Sequence, residues 1–216
     1  MDLSLYKETP LESRIANHYQ KCGINYAHEM DIDYIAEIFN AAIHTHLEKP
    51  KVMYNNDSSL IFLYAYADKV EKRESFFHEL SHAALHWGDQ NKLPPLLVEL
   101  QEIQAGHFQG YAAIPAYLLR EFEGIENRNT YIKVIAEEFG VSIPFARRRI
   151  EQIERRIVQA KIDNEIIEQR NQPHIATAPI KRPEGHIEQV LARIMEKRRI
   201  REEREREGYY AIENYG

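Results

Sequence analysis

The sequence predicts an α+β protein, mostly helical with a small sheet, that continues into long C-terminal helices. Three observations carry that expectation. Apolar residues recur at helical spacing through most of residues 1–170. Two short β-favouring runs, Lys51–Tyr54 and Leu60–Ala67, flank the turn-forming Asn55-Asn56-Asp57. Pro144 then opens a stretch that runs without a helix breaker to about Arg170.

Taken in order, Leu11, Ile15 and His18/Tyr19 give a first helix over 10–28, stopped by Gly23. Ile35, Ile38, Phe39, Ala42, Ile43 and His46 fit one face of a second helix from Asp33 to about Leu47, ended by Pro50. The two strands follow. Helices are then expected over Ser75–His86, Leu96–Ala113, Thr130–Phe139 and Pro144–Arg170. Asn171–Gly185 holds three prolines and little to bury, which makes it a linker. Residues 186–216 form a charged helical tail, suited either to docking a partner or to remaining a solvated appendage. The expected division is therefore 1–150, an extended helix 151–170, a linker 171–185 and the tail 186–216.

A hydrophobic content of 44% supports a real core, and 29% charge with a mean hydropathy of −0.56 marks a soluble chain. No run approaches the roughly 18 apolar residues of a membrane span. The N-terminus lacks the basic start and apolar block of a signal peptide, so the expected location is cytoplasmic. Cys22 is the single cysteine, which excludes an intramolecular disulfide and a cysteine-based zinc site. The net charge of −6 is uneven. Residues 1–140 carry 12 Lys+Arg against 21 Asp+Glu, a balance of −9, and residues 141–216 carry 16 against 13, a balance of +3.

The chemistry concentrates at His78-Glu79-Leu80-Ser81-His82. Residues four apart share a helix face, so His78 and His82 can hold one metal ion. Glu79, one step round, can act on a water bound to it as general base. A catalytic zinc needs a third protein ligand and an open fourth position. Glu102, in the next predicted helix, is the leading candidate, Glu99 one turn earlier the alternative, and Asp89 the last choice. His86 extends the series, but eight helical residues rise about 12 Å, too far for one ion. It is expected to pack or hydrogen-bond at the helix end. His107, on another face of the Glu102 helix, reads first as structural, with oxyanion stabilisation as its catalytic alternative. Tyr111 joins it as a candidate accessory residue.

These residues resemble the ImmA/IrrE family of metallopeptidases. Arg73 and Phe76 precede the motif as in the family's Arg-x-x-Phe-x-x-His-Glu-Leu, and His86 fits its frequent HELxHxxLH. Glu102-Ile103-Gln104-Ala105 through Phe108 to Pro115 is similar to its ExxA(D/N)xF…LLxP. Ile135–Ser142 followed by Arg147-Arg148 is similar to its IAxxFxVS…R end piece. The resemblance covers about residues 10–150. It implies a zincin-like peptidase core, His78, His82 and Glu102 as zinc ligands, and Glu79 as the catalytic residue. It also implies a protein substrate, a helix-turn-helix repressor of a phage or mobile element, which makes the chain an anti-repressor. Two places depart from the family pattern. Gly106 stands where the family has Asp or Asn, a natural partner for a ligand histidine, and such partners are worth about 10–100-fold in affinity or activity. Gln109 and Gly110 stand in a segment that is otherwise apolar. Gly106 and the long C-terminal helices leave a non-catalytic anti-repressor, which binds its partner without cleaving it, as the alternative function.

Ile132–Ile150 has the cadence of a helix-turn-helix, with Arg147, Arg148 and Arg149 as candidate nucleic-acid contacts. The charge excess is small for a DNA binder, so direct DNA binding is not expected and the arginines read as a solvated face. Ile150, Ile153, Ile157, Ala160, Asn164 and Ile167 follow a 3-4 spacing that suits either packing on the chain's own core or a short coiled-coil seam, hence a homodimer through the C-terminal helices.

Overall fold

The computed structural model describes residues 1–54, 58–85, 93–171 and 185–213. It is α+β, with seven α-helices and one three-stranded sheet among those residues. Helix α1 (Pro10–Lys21) starts on a capping box in which Thr9 and Glu12 satisfy each other's backbone N–H groups. A short 3₁₀ turn (Ala27–Glu29) leads to α2 (Ile32–Ile38), capped by the Asp31 carboxylate. Strands β1 (Ala41–His46), β2 (Lys51–Tyr54) and β3 (Ser59–Tyr64) follow. Then come α3 (Lys69–Leu85), α4 (Pro95–Ala113), a 3₁₀ segment (Ala116–Phe122), α5 (Arg128–Glu138), α6 (Ile143–Asn171) and α7 (His186–Glu213). His86 and Asp89, as well as most of the expected linker, lie outside the described residues.

The second predicted helix is corrected. Residues 33–47 do not form one helix: α2 ends at Ile38, Asn40 turns the chain at φ 53, and Ala41–His46 is a strand. Asn tolerates the left-handed region better than most residues, which makes it a usable stop. The apolar positions 38, 39, 42 and 43 fit a helical period over so short a window. The decision comes from a distant partner, because β1 runs parallel to β3 with Ile43 opposite Ile61. The first helix also ends earlier than expected, at Lys21, where Gly23 at φ 87 takes up the reversal.

β3 is the central strand, with β1 parallel on one side and β2 antiparallel on the other. Its alternation sends Ile61 and Leu63 into the core and Phe62 to the other face, against the rings of His44 and His46. Helix α3 packs on β2, β3 and α4, and α4 also touches α1. Phe76, Phe77, Leu80, Ala105, Phe108 and Ala112 seal that layer without exposure beyond 1%. Small Ala105 and Ala112 let α3 and α1 approach α4 closely; the Tyr19 hydroxyl donates to the Ala112 carbonyl at 3.2 Å.

In α6, Ile150, Ile153, Ile157 and Ala160 are buried in the chain's own core, while Asn164 is half-buried and Ile167 is 53% exposed. The first half of the apolar seam is thereby used for packing within the domain. Two compact units result, 1–168 and 169–216. Among the described residues no helix is long and apolar enough to cross a membrane.

Candidate metal centre

Asp68 starts α3 by accepting the Glu71 backbone N–H at 2.8 Å. From there the helix turns Phe76, Phe77 and Leu80 inward and carries His78 and His82 along the neighbouring stripe. Pro95 begins α4 at a position where its missing N–H costs nothing. The side chain of Gln109 donates to the Glu74 carbonyl, and Glu102 faces His78 and His82, so the two helices run antiparallel. This arrangement places a carboxylate from α4 opposite two imidazoles from α3.

The His78 and His82 Nε2 atoms lie 3.2 Å apart. Glu102 Oε2 is 3.4 Å from His78 Nε2, and Oε1 is 3.6 Å from His82 Nε2. Three ligands at zinc bond lengths of 2.0–2.2 Å and tetrahedral angles would be separated by about 3.3–3.5 Å. The imidazole pair matches that spacing, the carboxylate meets each imidazole through a different oxygen, and with one atom from each residue the three donors lie within 4.8 Å of one another; two imidazoles with one carboxylate suit zinc chemically. These three residues are the one group among those described whose donor atoms converge within 4.8 Å. His82 is 6% exposed, while His78 and Glu102 are more open, which leaves a side from which a water or substrate can approach.

Glu79 is 9% exposed and lines a cleft of about 580 Å³ together with His78. Burial, helped by the Glu102 carboxylate, pushes its carboxyl up to about 7. A general base near neutrality is what proton abstraction from water calls for. The cleft is continued by Lys49 and Pro50 ahead of β2, by Asp68 just before α3, by Glu71, Glu74 and Ser75 on α3, and by Gln109 and Ser142. Sequence reasoning did not place these residues at the site. A signal for part of them was present: 71, 75, 78 and 82 fall on one helical stripe, so the positions before the motif share the face of its histidines. Lys49 and Ser142 had no local signal.

The other candidates lie elsewhere. His107 stacks on Tyr111 with ring centroids 6.1 Å apart, and the Tyr111 hydroxyl accepts from Arg156. Both border a buried polar cluster joining α1, α4 and α6. At its heart Arg149, 3% exposed, is ion-paired to Glu12, 2% exposed. Arg156 also pairs with Glu12, at 2.9 Å, and burial pushes the Tyr6 hydroxyl beside them up to about 12. The reading of Arg147–Arg149 as one basic, solvated face is therefore corrected. Arg147 and Arg148 are exposed, but Arg149 points inward because Glu12 and the Ile114 carbonyl offer it partners in the core. Gly106 sits on the exposed side of α4 with open space where a Cβ would be. Glu99 is not in the converging group.

Residues 28–151 match the M78 peptidase family, described as the IrrE N-terminal-like domain. Phage-like element PBSX protein XkdA of Bacillus subtilis (strain 168) is 31% identical over 147 residues, which is 68% of this chain and 74% of that protein. From the same organism, a protein titled "Uncharacterized protein YqaB" is 26% identical over 157 residues, 71% of this chain and 90% of that one. Among solved structures, a Mycobacterium tuberculosis transcriptional regulator aligns with a TM-score of 0.44 at 13% identity. The alignment covers 63% of this chain and 44% of the regulator, a likeness too low to carry an argument.

Proposed function

The chain belongs to the M78 peptidase family, the IrrE N-terminal-like group, and we propose that it is a zinc-dependent endopeptidase that hydrolyses a regulatory protein. The observation that carries this reading is the convergence of His78, His82 and Glu102 from two helices, with Glu79 buried at the edge of the adjoining cleft. Zinc held by these three residues would supply Lewis-acid polarisation of a peptide carbonyl and a more acidic water. Glu79 takes a proton on its carboxylate from the attacking water and returns it to the departing amine nitrogen. Burial of Glu79 keeps that carboxylate poorly solvated and basic enough for the first transfer. β2 is an edge strand whose approach, at Lys49 and Pro50, opens onto the same cleft, so an extended peptide has backbone groups to pair with.

The substrate in this reading is a helix-turn-helix repressor, and the setting is cytoplasmic. Support comes from the resemblance to a family that cuts such repressors and from the phage-like element in which the 31% identical relative is named. The test mixes the zinc-loaded protein with the repressor encoded beside its gene. Fragments are expected with wild type and not with Glu79→Gln. The alternative, an anti-repressor that binds without cutting, is motivated by Gly106 and requires Glu79→Gln to retain the full biological effect. Metal content of wild type beside His82→Ala and Glu102→Ala identifies the ion.

A further inference from the structure

The cleft beside the metal centre has a strong charge bias. Asp68, Glu71, Glu74 and Glu79 line it against the single ammonium of Lys49. Two of those carboxylates already hold backbone: Asp68 accepts from the Glu71 N–H, and Glu74 Oε1 accepts from the Ser142 N–H at 2.7 Å. Glu79 is different, because it is 91% buried and faces the cleft without a hydrogen bond or ion pair among the described residues. Glu71 is exposed at the far end of the cleft and is likewise without a side-chain partner among the described residues. The cleft therefore presents carboxylate oxygens that the fold leaves for something else.

We propose that this cleft is a subsite for an arginine or lysine side chain of the substrate, held by Glu71 and by the Glu74 oxygen that Ser142 does not engage, within about three residues of the scissile bond. The proposal rests on the peptidase reading above for the meaning of "scissile", and its chemistry can be tested without turnover. The distance follows from helix geometry. Glu71, Ser75 and His78 lie on one stripe of α3, and seven residues from Glu71 to His78 rise about 10 Å. An extended peptide covers about 3.3 Å per residue, so a side chain reaching Glu71 belongs to a residue about three positions from the bond held at His78. Residues nearer the bond meet Glu74 first. An acidic side chain would meet the carboxylates of Asp68, Glu71 and Glu74 against the single ammonium of Lys49, and the apolar lining offered by Pro50 and Val70 is small. Arginine suits the place best, because its planar fork can address both carboxylates at once.

The experiment uses the full chain loaded with zinc. Binding is read on the Glu79→Gln variant by fluorescence anisotropy, with ten-residue labelled peptides carrying one arginine at each position in turn and an all-neutral control. The best arginine peptide is expected to bind about tenfold more tightly than the control, the size of a charge-assisted contact at a partly open site. Adding Glu71→Lys is expected to bring that ratio close to one. Equal binding of arginine and control peptides overturns the proposal, as does an unchanged ratio in the Glu71→Lys protein. Cleavage sites of wild type in a mixed peptide library, mapped by mass spectrometry, separate the two readings. Cuts without a basic residue within three positions overturn the subsite and leave the peptidase standing. A preserved binding ratio with no cuts supports the subsite and sinks the peptidase.

Discussion

At the scale of single residues, Glu79 and Glu102 carry distinct and separable predictions. If Glu79 carries the proton as proposed, Glu79→Gln removes it and leaves the three candidate metal donors in place, so cleavage should fall about 10²–10⁴-fold while zinc stoichiometry stays at the wild-type value. Glu102→Ala removes a donor, and zinc affinity measured against a competing chelator should fall by more than the roughly 100-fold that an outer-sphere partner is worth. Glu79 also has a signature in stability. Its carboxyl is raised in the fold from 4.5 to about 7, so in the chelator-treated protein the folded state binds the extra proton between those values. The stability it contributes is full below about pH 4.5 and is lost as pH rises towards 7. Glu79→Gln should flatten that part of the pH–stability curve and stabilise the metal-free protein above pH 7 by about 1–2 kcal/mol, allowing for the open side of the cleft. Urea titrations at pH 5 and pH 8 provide the check. The motif was legible in five adjacent letters, because helix periodicity alone aligns His78 with His82. The raised carboxyl was not, since it arises from burial and from Glu102, 23 positions further along.

At the scale of elements, the cluster joining α1, α4 and α6 is held by a buried charge pair whose members only make sense together. Losing Glu12 strands the Arg149 guanidinium without its counter-charge, so Glu12→Gln should cost about 3–5 kcal/mol in urea denaturation, whereas Arg149→Met, which leaves Glu12 its Arg156 partner, should cost less. The double variant Glu12→Leu/Arg149→Met should recover much of that loss, while Arg147→Ala and Arg148→Ala, on the exposed side, should stay within about 0.5 kcal/mol of wild type. A second element-level prediction concerns the turn into α6. Gly140 has φ 60, and a Cβ there would meet Arg73 Cδ at 3.2 Å. Gly140→Ala should therefore destabilise by about 1–2 kcal/mol, read from the shift in the denaturation midpoint. Local sequence placed most helices well because caps, prolines and apolar stripes are local signals. It misassigned Ala41–His46, where the partner strand β3 decides, and it treated Arg149 like its two neighbours, because a position on the helix does not reveal that Glu12 waits inside.

At the scale of the whole molecule, residues 1–168 form one compact unit that contains the sheet and every candidate metal ligand. A protein ending at Glu168 is expected to unfold cooperatively and to bind zinc with the wild-type stoichiometry, checked by calorimetry and metal analysis; loss of either would tie residues 169–216 to the integrity of the first unit. The sequence by itself determined the α+β class, the motif helix with its histidines in phase, and the family resemblance, since each depends on periodicity or on residues close together in the chain. It ranked Glu102 above Glu99 without deciding between them. Only the tertiary structure brought Glu102 to 3.4 and 3.6 Å from the two imidazoles, set Lys49 and Ser142 at the rim of the same cleft, and turned Arg149 inward. Those outcomes depend on the packing of helices and strands far apart in the chain, and no local pattern encodes which face a distant element will meet.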